Sequence, residues 1–224
     1  MKVLIVYWHP EPASFNAAML RTTRRTLTAG QHHVQVSDLG ALSFNPVSGR
    51  HNFATAANPE YFTQCAEEAH ASRQNSFAAE IRREREKLDW CDLLIFQFPL
   101  WWFSMPAIMK GWVDRVFSCA NCHNPDGHYE QGPWRGRRAL LALTTGGPED
   151  FYQPGGLHGT MSAVLRPIQR GILAATGFEV LTPFVAYQPA SLDEQERLLL
   201  LDRYATRLRQ LEHEAPIEVP PFGA

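Results

Sequence analysis

At 224 residues, with 45% hydrophobic and 20% charged side chains, the chain has the make-up of a globular protein with a large core, expected to form a single domain over residues 1–224. Its 21 basic and 23 acidic residues leave a formal net charge of -2, which excludes the basic footprint of a nucleic-acid binder. No apolar run approaches the ~18 residues of a membrane-spanning helix. MKVLIVYWHP meets a proline before an apolar signal core has formed, so a cytoplasmic location is expected, with reduced cysteines and a small molecule or a second copy of the chain as partner.

Residues 2–8 form a β-branched apolar run fit for a central parallel strand, and HPEPASFN then excludes regular structure with two prolines. Ser14 is placed to cap a helix over 15–29 that Gly30 closes. A helix start just after a strand also offers free N–H groups to a phosphate, here with His9, Ser14, Phe15 and Asn16, although the dinucleotide glycine fingerprint and the Walker lysine loop are both absent. Residues 33–38 give a short strand with Val34 and Val36 on one face. Residues 39–63 read as a long irregular loop, and 65–87 as a helix whose EIRREREKL run is a solvated, self-paired face.

The stretch 93–117 organises the chain. Residues 93–98 suit a buried strand, Pro99 turns it, and Trp101, Trp102 and Phe103 follow before a helix that begins near Pro106. Ligands of open α/β sheets bind beyond the carboxyl ends of the strands, so these aromatics either cover a flat conjugated ligand or belong to the core. In the connection after Phe117, CANCH matches the haem-attachment pattern, and Cys119, Cys122, His123 and His128 also read as zinc ligands. Haem attachment needs export and zinc lacks a second pair at standard spacing, so no metal is expected.

Residues 138–144 read as the next buried strand, opening into TTGGPEDFYQPGGLHG. Its glycine pairs let backbone approach a ligand, while Tyr152 and His158 read as proton donors or as plain surface residues. A helix over 161–175 containing Pro167, a fifth strand over 178–184, a helix over 193–211 and an extended proline-rich tail from about 212 complete the chain. Five strands alternating with helices specify a doubly wound α/β parallel sheet of flavodoxin-like order 2-1-3-4-5, a fold that accepts flavin at its strand ends.

FQFPLWWFSMPAIMKGWVDRVF, TTGGPEDFYQPGGLHG, PIQRGIL with GF, and HPEPASFN together resemble the DT-diaphorase type of NAD(P)H:quinone oxidoreductase over nearly the whole chain, in forms without a longer C-terminal extension. The resemblance implies a homodimer that holds FAD and passes hydride from NADH or NADPH to quinones in two-electron, ping-pong steps. It places His9, Ser14, Phe15, Asn16 and Ala18 on the diphosphate and ribose, and Pro99, Leu100, Trp102 and Phe103 with Thr144, Thr145, Gly146 and Gly147 on the isoalloxazine ring. Arg197 and Leu201 fall at the adenine end, which favours FAD over FMN. Tyr152 and His158 match the catalytic pair and would stabilise charge developing on the ring, with His158 relaying a proton to the quinone. Trp102, Phe103, His123 and His158 would meet substrate.

The chain departs from the family pattern at His123 and Pro125 where tyrosines line the pocket, at Ala175 for a phenylalanine, and at Thr63 and Trp101 for glutamines. A widened pocket would extend acceptors toward nitroaromatics, azo compounds or polar quinones. Two other classes stay open: a regulatory flavoprotein subunit of a potassium efflux system, and a one-electron flavodoxin-like carrier.

Overall fold

The computed structural model describes residues 1–118 and 129–221. The expectations on Cys119, Cys122, His123, Pro125 and His128 lie outside the described residues. Three apolar runs with almost no exposed position, β1 (Lys2–Tyr7), β3 (Leu93–Pro99) and β4 (Arg138–Thr145), have no face that tolerates water and form the middle of a parallel sheet. The more polar β2 (His33–Asp38) takes the edge beside β1, and the strand order is β2-β1-β3-β4-β5. Alternation along β1 splits its side chains between two cores. Leu4 and Val6 face one, and Val3, Ile5 and Tyr7 face the other.

Helices α1 (Phe15–Ala29) and α6 (Glu194–Leu208) cover the second of these faces through Met19, Leu27, Tyr204 and Leu208. The first is covered by α3 (Ala79–Trp90), α4 (Ala107–Val116) and α5 (Met161–Ile168), through Ile81, Leu88, Met109, Trp112, Leu165 and Ile168. The α1 bounds are set by its caps: Ser14 Oγ accepts the Ala17 N–H at 3.1 Å, and the Gly30 N–H returns to Thr26 O at 3.0 Å.

Three expected elements differ in detail. The helix expected over 65–87 is two, α2 (Gln64–Gln74) and α3, because Asn75 adopts a left-handed φ of 51° and ends the first. That break lets Phe77 turn inward to bridge Phe53 and carry the Arg85 guanidinium 4.4 Å above its ring. The helix expected over 161–175 loses its α-ladder after Pro167, which has no N–H to return, and continues as a π turn over Gln169–Leu173 and a 3₁₀ turn over Ala174–Thr176. The fifth strand expected over 178–184 is two short ones, β5 (Glu179–Val180) and β6 (Phe184–Tyr187), both paired with β4 and separated around Pro183. Beyond α6 the tail extends, donating Ile217 N–H to Val180 O at 2.8 Å, while Arg170 Nη1 holds Val219 O at 2.8 Å and Arg166 bonds the Pro221 carbonyl.

The loop over 39–63 is anchored, not loose. Arg115 of α4, 1% exposed, donates Nε to Asn52 Oδ1 at 2.7 Å and Nη1 to Asn45 O at 2.5 Å, and pairs with Glu80. Next to it a methyl group added at Gly111 would stand 2.3 Å from Pro46 O, closer than any side chain tolerates. Gly111→Ala should therefore cost about 1–3 kcal/mol by forcing loop and helix apart, read as a lower denaturation midpoint at unchanged slope; an unchanged midpoint would show that the loop is free to move.

Glu67, 1% exposed, accepts the N–H groups of Ala57 at 2.6 Å and Asn58 at 3.1 Å. Those two bonds, with help from Arg50 and His70 and against desolvation, lower its pKa below the ordinary 4.5. A lowered folded-state value means that Glu67 stabilises the fold above pH 4.5 and loses that contribution as pH falls through the folded value. Glu67→Gln should flatten this acid limb of stability against pH, and an unchanged limb in urea melts between neutral pH and pH 3 would refute the assignment.

Candidate active site at the carboxyl edge of the sheet

The ends of β1, β3 and β4 open into three loops that converge on one edge. After β1 the Glu11 N–H meets His9 Nδ1 at 3.0 Å, Glu11 Oε1 accepts the Ala13 N–H at 2.7 Å, and Ser14 N–H reaches Glu11 O at 3.1 Å. This coil delivers α1 with the Ala17 N–H on the Ser14 hydroxyl and the Ala18 N–H on the Ser14 carbonyl. The N–H groups of Phe15 and Asn16 at the first turn have no intrahelical acceptor and suit an anion.

Asn16 joins this helix start to the middle of the sheet. It is 1% exposed, donates Nδ2 to Thr144 Oγ1 at 2.7 Å, and its carbonyl accepts Gln97 Nε2 at 2.7 Å. Its Oδ1 is buried without a hydrogen-bond partner. An orphaned buried acceptor costs about 1–3 kcal/mol, and Asn16 Oδ1 carries that cost at this edge.

After β3, the Leu100 N–H extends the ladder to Thr144 O at 2.8 Å, and Trp101 and Ser104 exchange two backbone hydrogen bonds of 3.0 Å. The two residues between them, Trp102 and Phe103, lie at φ 50° and 58°. A two-residue hairpin with both central residues at positive φ normally uses Asn-Gly, and each bulky residue held there costs about 1–2 kcal/mol. None of the aromatics is core: Trp102 is 96% exposed and Trp101 and Phe103 about half, so the core alternative is overturned. Trp101 is braced edge-on by Trp8 at 5.1 Å.

After β4, Thr145 Oγ1 donates to Gly147 O at 2.7 Å and shapes the glycine pair. A side chain at Gly146 would point into open space, whereas one at Gly147 would meet Phe151 at 3.2 Å and the Tyr152 hydroxyl oxygen at 3.6 Å. The Tyr152 phenol therefore sits against the glycine turn. It is 7% exposed, and burial raises its pKa above the ordinary 10, so it remains a hydrogen-bond donor at neutral pH. His158 lies within a cage of three rings, Phe103 at 5.1 Å, Tyr152 at 5.2 Å and Phe151 at 5.5 Å, and its backbone N–H donates to Phe151 O at 2.8 Å and closes the loop.

The structure thus brings Asn16, Leu100, Phe103, Thr144, Gly147, Tyr152 and His158 to one open edge. Pro99 ends β3 in register with Thr144, and Trp102 projects beyond it. Arg197 and Leu201 stand apart from the ring cage on α6, which packs along α1; Arg197 Nε bonds Asp193 O at 3.2 Å and Leu201 is half-buried. Thr63 precedes α2, and Ala175 lies half-buried in the 3₁₀ turn. Phe151, the third wall of the cage, and Tyr187, whose ring lies 5.8 Å from that of Tyr152, were not singled out from the sequence; β6 ending in register with Thr145 is the signal that places Tyr187 there. Among the described residues no group of three or more His, Cys, Asp or Glu side chains can hold a metal, and no helix is long and apolar enough to cross a membrane.

Residues 1–210 match the family described as having a flavodoxin-like fold. A ribosyldihydronicotinamide dehydrogenase [quinone] from Pongo abelii is 40% identical over 96% of this chain and 94% of its own length. The chain belongs to the NAD(P)H:quinone oxidoreductase family. A second member, NAD(P)H dehydrogenase [quinone] 1 of Cavia porcellus, is 38% identical over 98% of this chain and 80% of its own length. A crystal structure of a candidate quinone reductase from Klebsiella pneumoniae superimposes with a TM-score of 0.91 at 40% identity, over 97% of this chain and 87% of that one. In this member of the family, the strained aromatic hairpin, the glycine turn and the ring-caged histidine are the local features of the shared sheet edge.

Proposed function

We propose that this chain is a flavin-dependent NAD(P)H:quinone oxidoreductase acting by two-electron transfer, with donor and acceptor using the open surface over Gly146 in turn. The observation that carries the reading is the Tyr152 hydroxyl held against Gly147 beside the ring-caged His158. The residues fit the cofactor: the free N–H groups of Phe15 and Asn16 suit a diphosphate, with His9, Ser14 and Ala18 shaping that turn, and the Asn16 Oδ1 acceptor lacks a partner that a polar ring edge supplies. Pro99, Leu100, Trp102 and Phe103 form one side of the ring site, and Thr144, Thr145, Gly146 and Gly147 the other. Bound flavin supplies the hydride chemistry. Tyr152 holds a proton at its hydroxyl oxygen toward the developing charge, His158 passes a proton to the quinone, and Trp102 and Phe103 exclude water from the stacking face.

FAD is the form proposed over FMN, with Arg197 and Leu201 at the adenine end, and a homodimer in the cytoplasm is the form in which a partner's surface covers the half-exposed hairpin; His123 would then meet substrate. One observation favours a second donor. The chain spans 94% of the Pongo abelii dehydrogenase named for ribosyldihydronicotinamide and only 80% of the Cavia porcellus NAD(P)H enzyme, so dihydronicotinamide riboside joins NADH and NADPH as a candidate hydride source. The purified protein, its released flavin identified by chromatography, should consume these donors with a benzoquinone and produce hydroquinone without a radical. Protein that takes up neither FAD nor FMN would sink the reading.

A further inference from the structure

Reduction of a quinone by NAD(P)H takes one proton from solvent per turnover, because the donor releases two electrons with one proton and the quinone gains two of each. Tyr152, which would hold that proton at the reacting edge, is only 7% exposed. Its two ring neighbours lie in different settings. His158 belongs to the substrate edge, whereas Tyr187, 5.8 Å away and inclined 39°, ends β6 and lines a separate groove of about 640 Å³. That groove also carries Glu149, apolar walls from Phe184 and Leu199, and the α6 side chains Glu196 and Arg203. Glu196 is committed to its helix start, accepting the Asp193 N–H at 2.8 Å. Glu149 is exposed, meets Gln153 Nε2 at 3.4 Å, and opens the same short 3₁₀ turn that ends in Tyr152.

We propose that Glu149 and Tyr187 form a rear proton entry to Tyr152, drawing from the groove and not across the substrate edge. This rests on the quinone reductase reading above. The Tyr152 O–H bond breaks as its proton passes to the reacting edge, directly or through His158. The phenolate oxygen then takes the Tyr187 hydroxyl proton from the neighbouring ring, through one bridging water where the two oxygens do not touch. Tyr187 is in turn reprotonated from Glu149, whose carboxylate collects the proton from solvent. No electrons move along this route, and one proton enters for each that leaves. Both tyrosines are held protonated at rest: burial raises each pKa, and for Tyr187 the neighbouring Glu149 carboxylate and Tyr152 raise it further. Tyr187 and Glu149 are positioning residues here, since they act through Tyr152.

The test uses Tyr187→Phe, which keeps the tilted ring and removes its hydroxyl, and Glu149→Gln, which removes an exposed charge at constant size. In the flavin-loaded enzyme each should lower kcat for quinone about tenfold, a smaller effect than loss of the donor itself, with KM unchanged, a larger solvent deuterium isotope effect, and partial rescue by high concentrations of a small buffer acid. In flavin-free protein, ultraviolet titration should show Glu149→Gln allowing one tyrosine to ionise at lower pH, a change absent when Tyr187→Phe is also present. Wild-type kcat and isotope effect in both variants, or a loss that neither pH nor buffer acid alters, would overturn the route while leaving the quinone reductase reading intact. A wild-type enzyme inert toward quinones would overturn that reading and the route with it.

Discussion

Quinone turnover should fall about 10²- to 10³-fold when Tyr152→Phe and His158→Gln are combined, with flavin content and melting behaviour close to wild type. The phenylalanine ring keeps the packing that Tyr152 makes with His158 and Tyr187, and removes only the hydroxyl that lies against Gly147. The glutamine at 158 keeps a polar side chain inside the cage of Phe103, Phe151 and residue 152, and removes the imidazole that can both accept and give a proton. Neither change should weaken donor binding greatly, so the loss should fall on kcat more than on KM. Burial holds the Tyr152 phenol protonated beyond its ordinary pKa of 10, so the single Tyr152→Phe loss should persist across neutral and mildly alkaline pH. A double variant within threefold of wild type on a simple benzoquinone would remove both residues from the chemistry.

The second large effect concerns the hairpin, where stability and activity should move in opposite directions. Replacing Trp102 by Asn and Phe103 by Gly supplies the residues that positive φ at both central positions calls for, relieving strain of about 1–2 kcal/mol per residue. Trp102 is 96% exposed, so its removal forfeits little burial, while Phe103 gives up its contact with His158 and the new glycine gains freedom in the unfolded chain. The net gain should be about 1–2 kcal/mol, or roughly 2–6 °C in melting temperature for a chain of this size, measured on flavin-free protein so that cofactor binding does not mask it. Turnover should meanwhile drop at least about tenfold, because the aromatic wall we propose for the stacking face is gone. A lower melting temperature would mean that the two aromatics are not strained and that the hairpin is held by contacts instead.

How far the sequence reached depended on the kind of signal each element carries. Helix α1 and strand β2 have the bounds expected, since Ser14, Gly30 and a short alternating run are local chemistry that works without tertiary help. The break between α2 and α3 was hidden by the strength of the charged run 80–88 beyond it, although the charges stop between Arg73 and Glu80 and Asn75 is one of the few residues that adopts a left-handed φ cheaply. Pro183 was the clue to the divided fifth strand, lying inside a run whose β-propensity masked it. At the candidate site the loops were legible as strand ends rich in Trp, Gly, Tyr and His. The positive-φ hairpin was not, because Trp-Phe carries no turn signature and only the closing bonds of Trp101 and Ser104 make that shape. Asn16 spends its Nδ2 on Thr144, distant in sequence, while its Oδ1 is left without a partner, and no local pattern encodes that arrangement.

The division of the fifth strand also bears on how copies of the chain meet. A sheet edge is a row of unpaired backbone groups that invites strand-by-strand association. Here the edge beside β4 is cut into pieces of two and four residues around Pro183, and the Ile217 N–H closes on the Val180 carbonyl. At the opposite margin β2 shows His33 to solvent and ends in Asp38, whose Oδ1 is occupied by the N–H groups of Gly40 and Ala41. Neither margin offers a long, flat, apolar ribbon. Pairing of copies into continuous intermolecular sheets is thereby disfavoured, a protection against aggregation written into one proline and the run of tail that crosses behind it.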